Sequence, residues 1–172
     1  GEVRWMDHEG YEMMFVAGAE ENLALSFLMG PQDIPELDRM CGRFPETPVI
    51  VDHVGGVRVR DGQLARDDLA ALCSLARHRK IMVKLGPVHA LGNGESPFID
   101  ILEMVERIVD AFGPERCMWE SDCGGPVQMK DPSGDYEASV SLIRDRADFL
   151  SSTDREQILA GTAYGFFFAR RS

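Results

Sequence analysis

The sequence predicts an α/β fold, a parallel (β/α) barrel of the TIM type of which this chain supplies about four or five βα units. Four short apolar runs alternate with amphipathic stretches along the 172 residues, which is typical of a parallel sheet covered by helices. No GxGxxG motif follows any of these runs, so an open dinucleotide-binding sheet is disfavoured. Since a closed barrel needs about 250 residues, we interpret residues 1–172 as a single domain that forms part of a barrel.

The first elements follow one another in a regular order. Residues 9–21 are typical of a helix, with apolar side chains at three-to-four spacing. A strand is predicted over residues 23–29, where an apolar run ends at a Gly-Pro pair. The helix predicted over residues 35–43 stops before Phe44, because the proline that follows Phe44 biases its backbone away from the helical region.

The same alternation continues to the end of the chain. Strands are predicted over residues 49–54, 81–86 and 117–122. Helices are predicted over residues 64–78, 98–112, 135–150 and 154–168. Because crossover connections between parallel strands are right-handed, we expect the four strands to be adjacent and parallel, with the helices on their outer face.

The composition excludes several functional classes. Hydrophobic residues make up 44% of the chain and charged residues 27%, which indicates a globular protein. The net charge of −11 disfavours nucleic-acid binding, because it repels phosphate. No apolar run approaches the roughly 20 residues of a membrane helix, and the first residues lack the apolar segment of a signal peptide.

Four cysteines, Cys41, Cys73, Cys117 and Cys123, are spread along the chain without a CxxC pair. A small secreted scaffold is denser in cysteine than this chain. Buried free thiols behave as small hydrophobic groups. We therefore predict reduced thiols in a cytoplasmic protein.

Two polar residues end apolar runs, where parallel α/β folds place their chemistry. His53 follows the second run and is a candidate metal ligand or general acid or base. A core histidine that donates to a backbone carbonyl is the alternative. Asp122 ends the fourth run, where a carboxylate is costly unless it is paired, hydrogen-bonded or bound to metal. A capping or loop-bracing aspartate is equally compatible with this position.

Other polar residues lie near these two in the sequence. Lys84, near the end of the third run, is a candidate anchor for a substrate carboxylate or a side chain that extends to solvent. His89 and Arg58 are further candidates for substrate binding. Asp52 and Glu120 are placed to hydrogen-bond the candidate residues.

Three segments carry these residues: FPETPVIVDHVGG, IMVKLGPVHALG and FGPERCMWESDCGGP. With the closing ILAGTAYGFF, they resemble the C-terminal half of the barrel in the amidohydrolase-2 family. These TIM-barrel metal-dependent hydrolases include sugar-lactone and pyrone-dicarboxylate lactonases and aromatic-acid decarboxylases. The resemblance implies that His53 corresponds to the histidine of the sixth strand and Asp122 to the aspartate of the eighth. In the family this aspartate binds metal, where there is one, and handles the proton of the attacking water.

Three features depart from the family's pattern. The HxH pair of its first strand is absent, and the segment LALSFLMGP has no histidine where metal-dependent members have one. Glu120 stands in place of a glycine and Cys123 in place of an aromatic residue. The missing histidine resembles the lactonase branch, several of whose members work without a metal. No cofactor is therefore certain, and zinc is expected only in the complete barrel, with His53 and Asp122 among its ligands.

The resemblance implies a hydrolase that opens a lactone or a related ester or amide bond of a small carboxylated substrate. Asp122 would activate water, His53 would assist at the leaving oxygen or the carbonyl, and Lys84 would hold the substrate carboxylate. A metal-dependent decarboxylase of the same fold and an inactive barrel fragment or subunit remain as alternatives. We also expect the missing N-terminal half, or a homo-oligomeric partner, to cover the open sheet.

Overall fold

A computed structural model describes residues 6–124 and 129–169 of the chain. Its main feature is a four-stranded sheet in which every neighbouring pair is parallel. In their order across the sheet, the strands are β1 (Leu25–Phe27), β2 (Val49–Val51), β5 (Ile81–Leu85) and β6 (Cys117–Trp119). A separate antiparallel hairpin pairs β3 (Val59–Arg60) with β4 (Gln63–Leu64). The expected parallel arrangement of the four strands is confirmed.

Helices connect the strands and close the described part of the chain. They are α1 (Glu9–Glu20), α2 (Ile34–Arg43), α3 (Arg66–Ser74), α4 (Val88–Leu91), α5 (Leu102–Phe112), α6 (Pro132–Ser141), α7 (Ser152–Glu156) and α8 (Thr162–Phe167). Within residues 6–124 and 129–169, no helix combines the length and the apolar character that a membrane crossing demands.

The two faces of the sheet are covered very differently. Alternating strand residues such as Val49, Val51 and Val83 are buried in the main core beneath the helices. On the other face, Ile50, Met82 and Met118 form a small cluster. This cluster is joined by side chains of α8. One face therefore carries the helical layer, while the other carries only a thin apolar cover.

All four cysteines have free thiols, as expected from their spacing. Burial raises the pKa of Cys41 to about 12 and that of Cys117 to about 12. Both thiols are therefore neutral packing groups at physiological pH.

All four predicted strands are shorter than expected, since β1 covers only Leu25–Phe27 of residues 23–29 and β5 ends at Leu85, one residue early. The second ends at Val51, because Asp52–Gly56 forms a tight helical turn of left-handed residues. The fourth ends at Trp119. Glu120 and Asp122 therefore lie beyond the strand, in the connection that follows it.

Other differences concern short or irregular elements. The hairpin β3–β4 was not predicted, although its Asp61-Gly62 turn, with φ values of 51° and 70°, matches the preferred chemistry of a two-residue hairpin loop. The helix predicted over 135–150 ends in a π-helical turn, Leu142–Arg146. The helix predicted over 154–168 contains another, Gln157–Gly161.

Candidate active site

Residues from all four parallel strands meet at one edge of the sheet. Ser26 lies on β1, Asp52 and His53 follow β2, Lys84 lies on β5, and Glu120 follows β6. The carboxyl ends of parallel strands share one edge, so polar residues placed there converge whatever their separation in sequence. Asp122 joins them from the same connection as Glu120.

The backbone at this edge is left-handed at two of the candidate residues. His53 has φ 51° and ψ 46°, and Asp122 has φ 46°. Val54, a β-branched residue, also has a positive φ, 47°. Such conformations cost about 1–3 kcal/mol each and persist only where the surrounding structure imposes them. They concentrate in active sites, which supports a functional role for this edge.

His53 is held by Glu120 and faces Asp122. Its ring Nδ1 lies 2.6 Å from Glu120 Oε1, and its backbone N–H donates to the same oxygen at 3.2 Å. Its other ring nitrogen, Nε2, lies 3.9 Å from Asp122 Oδ2. This last distance is too long for a direct hydrogen bond, so the two groups face each other across a gap.

Lys84 occupies the position between two carboxylates. Its Nζ lies 2.6 Å from Asp52 Oδ1 and 3.6 Å from Glu120 Oε2. Ser26 Oγ donates to the other oxygen of Asp52 at 2.8 Å. Burial lowers the pKa of Lys84, but the hydrogen bond to Asp52 and the charges of Asp52 and Glu120 outweigh it, so the pKa is raised. The lysine thus holds two acidic groups in place.

The surroundings of Glu120 shift its pKa. Burial raises the pKa and outweighs the hydrogen bonds and charge of His53 and the charge of Lys84, which lower it, so the net pKa is raised. A half-buried carboxylate that touches two basic groups just beyond the end of a strand has the environment of a functional residue.

His53 and Asp122 open into one cleft of about 310 Å³. The remaining lining residues are mostly apolar: Leu28, Gly56, Arg58, Pro87, Ala90 and Leu91. An apolar cleft with a few converging polar groups is the usual form of a small-molecule site.

The other predicted site residues lie at different distances from this cleft. Arg58 lines it, and its guanidinium donates to the carbonyl oxygen of Ala90. Arg58 also lines an adjoining cleft of about 700 Å³ beside the hairpin. Lys84 lines a separate cleft that includes Phe166. His89 is buried on α4, only 8% exposed, and is not among the residues that line the cleft of His53 and Asp122.

The donors in this cluster do not by themselves form a metal site. In the part of the chain that the structure describes, no three His, Cys, Asp or Glu side chains are arranged to hold an ion. His53 and Asp122 supply two donors, whereas a catalytic zinc takes three protein ligands. The carboxylate of Glu120 is already engaged by His53 and Lys84. A metal would therefore need ligands from outside these residues.

Gly86 is a sterically constrained position beside the site that the sequence reasoning missed. A Cβ on Gly86 would lie 2.2 Å from the carbonyl oxygen of Glu120, so only glycine lets β5 and the chain after β6 approach this closely. Gly86 is the last residue of the strand predicted over residues 81–86, and the sequence gives no sign of the segment that packs against it.

Replacing Lys84 with methionine is expected to destabilise the protein by about 2 kcal/mol, because Asp52 and Glu120 would lose their shared cation. Since the pKa of Lys84 is raised in the folded state, its contribution is fully present at neutral pH and is lost as the pH rises through that raised pKa. The measurement is the free energy of unfolding in denaturant at pH 7.

The control for this variant is Lys80→Met. Lys80 pairs with Glu46 at 3.0 Å, but both side chains are largely exposed, and such pairs contribute about 1 kcal/mol or less. Equal losses in the two variants would show that Lys84 does not stabilise the carboxylate cluster.

A protein family and a curated protein match most of this chain in sequence. A family model described as amidohydrolase matches residues 4–169. The chain is 28% identical over 148 residues to L-fucono-1,5-lactonase from Burkholderia multivorans, a match that covers 79% of this chain and 48% of the lactonase. The chain thus spans about half the length of that relative.

Solved structures resemble the fold over nearly the whole chain. An amidohydrolase from Burkholderia multivorans with bound zinc superposes with a TM-score of 0.79 at 20% identity, covering 95% of this chain and 60% of its own. A candidate 2-pyrone-4,6-dicarboxylic acid hydrolase from Pseudomonas putida gives 0.73 at 20% identity, covering 99% and 61%. This likeness confirms the predicted barrel class, with the chain covering part of a barrel.

Proposed function

The chain belongs to the amidohydrolase family, and on that premise we propose that it forms part of a hydrolase that opens a lactone or a related ester or amide bond of a small carboxylated substrate. One observation carries the proposal: His53 Nε2 and Asp122 Oδ2 face each other at 3.9 Å in a mainly apolar cleft. A water molecule that lies beside this pair, in the cleft, can be within hydrogen-bond distance of both groups.

Asp122 is the general base of the proposed reaction. As the water oxygen bonds to the substrate carbonyl carbon, the Asp122 carboxylate takes the departing proton, and the carbonyl oxygen becomes an oxyanion. The ring C–O bond breaks when this oxyanion collapses, and the proton held by Asp122 passes to the released oxygen. His53, across the gap, hydrogen-bonds the same water molecule and so assists Asp122.

Arg58 is the basic group best placed to meet an anionic substrate. It lines both the cleft of His53 and Asp122 and the adjoining cleft, and a guanidinium binds carboxylates or developing oxyanions in a fixed geometry. Lys84, by contrast, already balances two carboxylates. We therefore assign the substrate carboxylate to Arg58 in preference to Lys84.

The rest of the barrel is the partner that the sheet requires. The chain covers 60% of the length of the zinc-containing amidohydrolase, and the face with Ile50, Met82 and Met118 carries only a thin cover. In the order β1-β2-β5-β6, β1 and β6 are the outermost strands of the sheet. Further βα units would pair with these two strands and enclose that apolar face.

The proposal is tested with the purified full-length protein and a panel of sugar and pyrone lactones, each with and without a carboxylate. Acid release, followed with a pH indicator, is expected for at least one lactone, with faster turnover of the carboxylated member of each pair. Arg58→Ala is expected to reduce this preference. Absence of ring opening across the panel, with the protein folded by circular dichroism, would count against the proposed reaction.

A further inference from the structure

Glu120 contacts both the ring and the backbone of His53. One oxygen, Oε1, lies 2.6 Å from the ring Nδ1 and accepts the backbone N–H at 3.2 Å. The other oxygen lies 3.6 Å from Lys84 Nζ. The Glu120 side chain is 16% exposed, so few water molecules compete for these contacts.

These contacts determine which ring nitrogen of His53 carries the proton. An ionised carboxylate can only accept hydrogen bonds. Glu120 Oε1 already accepts the backbone N–H of His53 and lies within hydrogen-bond distance of Nδ1, so with Glu120 ionised Nδ1 is the donor. In the neutral ring the proton is then on Nδ1, and the lone pair is on Nε2. Nε2 is the nitrogen that faces Asp122.

We propose that Glu120 is a positioning residue that fixes His53 in the Nδ1–H tautomer, so that Nε2 and Asp122 act as two acceptors for one water molecule. The inference rests on the proposed function and refines the role of His53 within it. A neutral His53 with its lone pair on Nε2 has no proton there to give to a leaving oxygen. It therefore orients the attacking water, while Asp122 takes the proton.

Lys84 and Asp52 complete the support of Glu120. The ammonium lies 2.6 Å from Asp52 Oδ1 and reaches the Glu120 oxygen that does not contact His53. Each oxygen of Glu120 thus has a separate partner, which restrains the carboxylate and the imidazole ring it orients. Groups that orient a functional histidine in this way commonly change activity about 10–100-fold when removed.

The test compares Glu120→Ala with Glu120→Gln in full-length protein. The glutamine keeps an oxygen that can accept hydrogen bonds from the backbone N–H and from the ring Nδ1–H of His53, whereas alanine removes it. Nitrogen NMR of histidine-labelled protein at neutral pH is expected to show the Nδ1–H tautomer of His53 in the unaltered protein and in Glu120→Gln. A shift toward the other tautomer is expected in Glu120→Ala. The signal is assigned with His53→Gln.

Kinetics supply the second measurement. Glu120→Ala is expected to lower kcat about 10–100-fold with a smaller change in KM, and Glu120→Gln is expected to recover most of the loss. An Nε2–H tautomer in the unaltered protein, or an unchanged tautomer in Glu120→Ala, would overturn the inference. The NMR result needs no substrate, so an absence of lactone hydrolysis would refute the proposed function separately from the positioning by Glu120.

Discussion

Replacing Asp122 with asparagine is expected to lower kcat about 10²–10⁴-fold, the usual loss when a general base is removed. Asparagine has nearly the same shape but cannot take a proton from water at neutral pH. The nearest basic group to Asp122 in the described structure, His53 Nε2, lies 3.9 Å away. The substitution therefore breaks no direct ion pair, and the free energy of unfolding is expected to change little.

The measurement is steady-state hydrolysis of the best lactone, together with thermal unfolding of the same preparation. Asp148→Asn is a matched control, because Asp148 is exposed in the turn before α7 and lines none of the clefts around the site. If Asp122→Asn keeps the activity of this control, Asp122 has a structural role instead of a catalytic one.

The arrangement of the parallel sheet could be predicted from the sequence because each strand carries its own local signal. The runs around Val49 and Ile81 are continuous and apolar, and helices of sufficient length separate them. Parallel pairing follows from such connections with little ambiguity. The strand ends were predicted less well. Val54 is a β-branched residue, a type that rarely adopts positive φ, so the sequence gives little sign of the left-handed turn after β2.

The contacts of the site depend on distances that no local pattern encodes. His53 and Glu120 are separated by 67 positions. The sequence predicted that Glu120 could hydrogen-bond a candidate residue and that it stands in place of the family's glycine, but not which residue it contacts. The structure shows what occupies that place: a carboxylate that holds the imidazole ring. Lys84 was likewise predicted to anchor a substrate carboxylate. The sequence around a lysine near the end of a strand does not show that two carboxylates of the protein itself lie beside it.

Gly86→Ala is expected to destabilise the protein by about 3 kcal/mol, the upper part of the range for added atoms in a well-packed site. The new Cβ would lie 2.2 Å from the carbonyl oxygen of Glu120 and 2.9 Å from its Cγ. The first contact is with backbone, so it cannot be relieved by rotating a side chain. The variant must separate the end of β5 from the segment after β6.

That separation would also move Glu120 away from His53, so a loss of activity is expected together with the loss of stability. The matched control is Gly165→Ala on α8, where an added Cβ has no atom within 4 Å and where alanine favours the helix by up to about 1 kcal/mol. Denaturant unfolding and lactone hydrolysis are measured for both variants. A Gly86→Ala protein as stable as Gly165→Ala would show that the two strand ends do not approach as closely as described, and the hydrogen bond between Glu120 and His53 would lose its geometric basis.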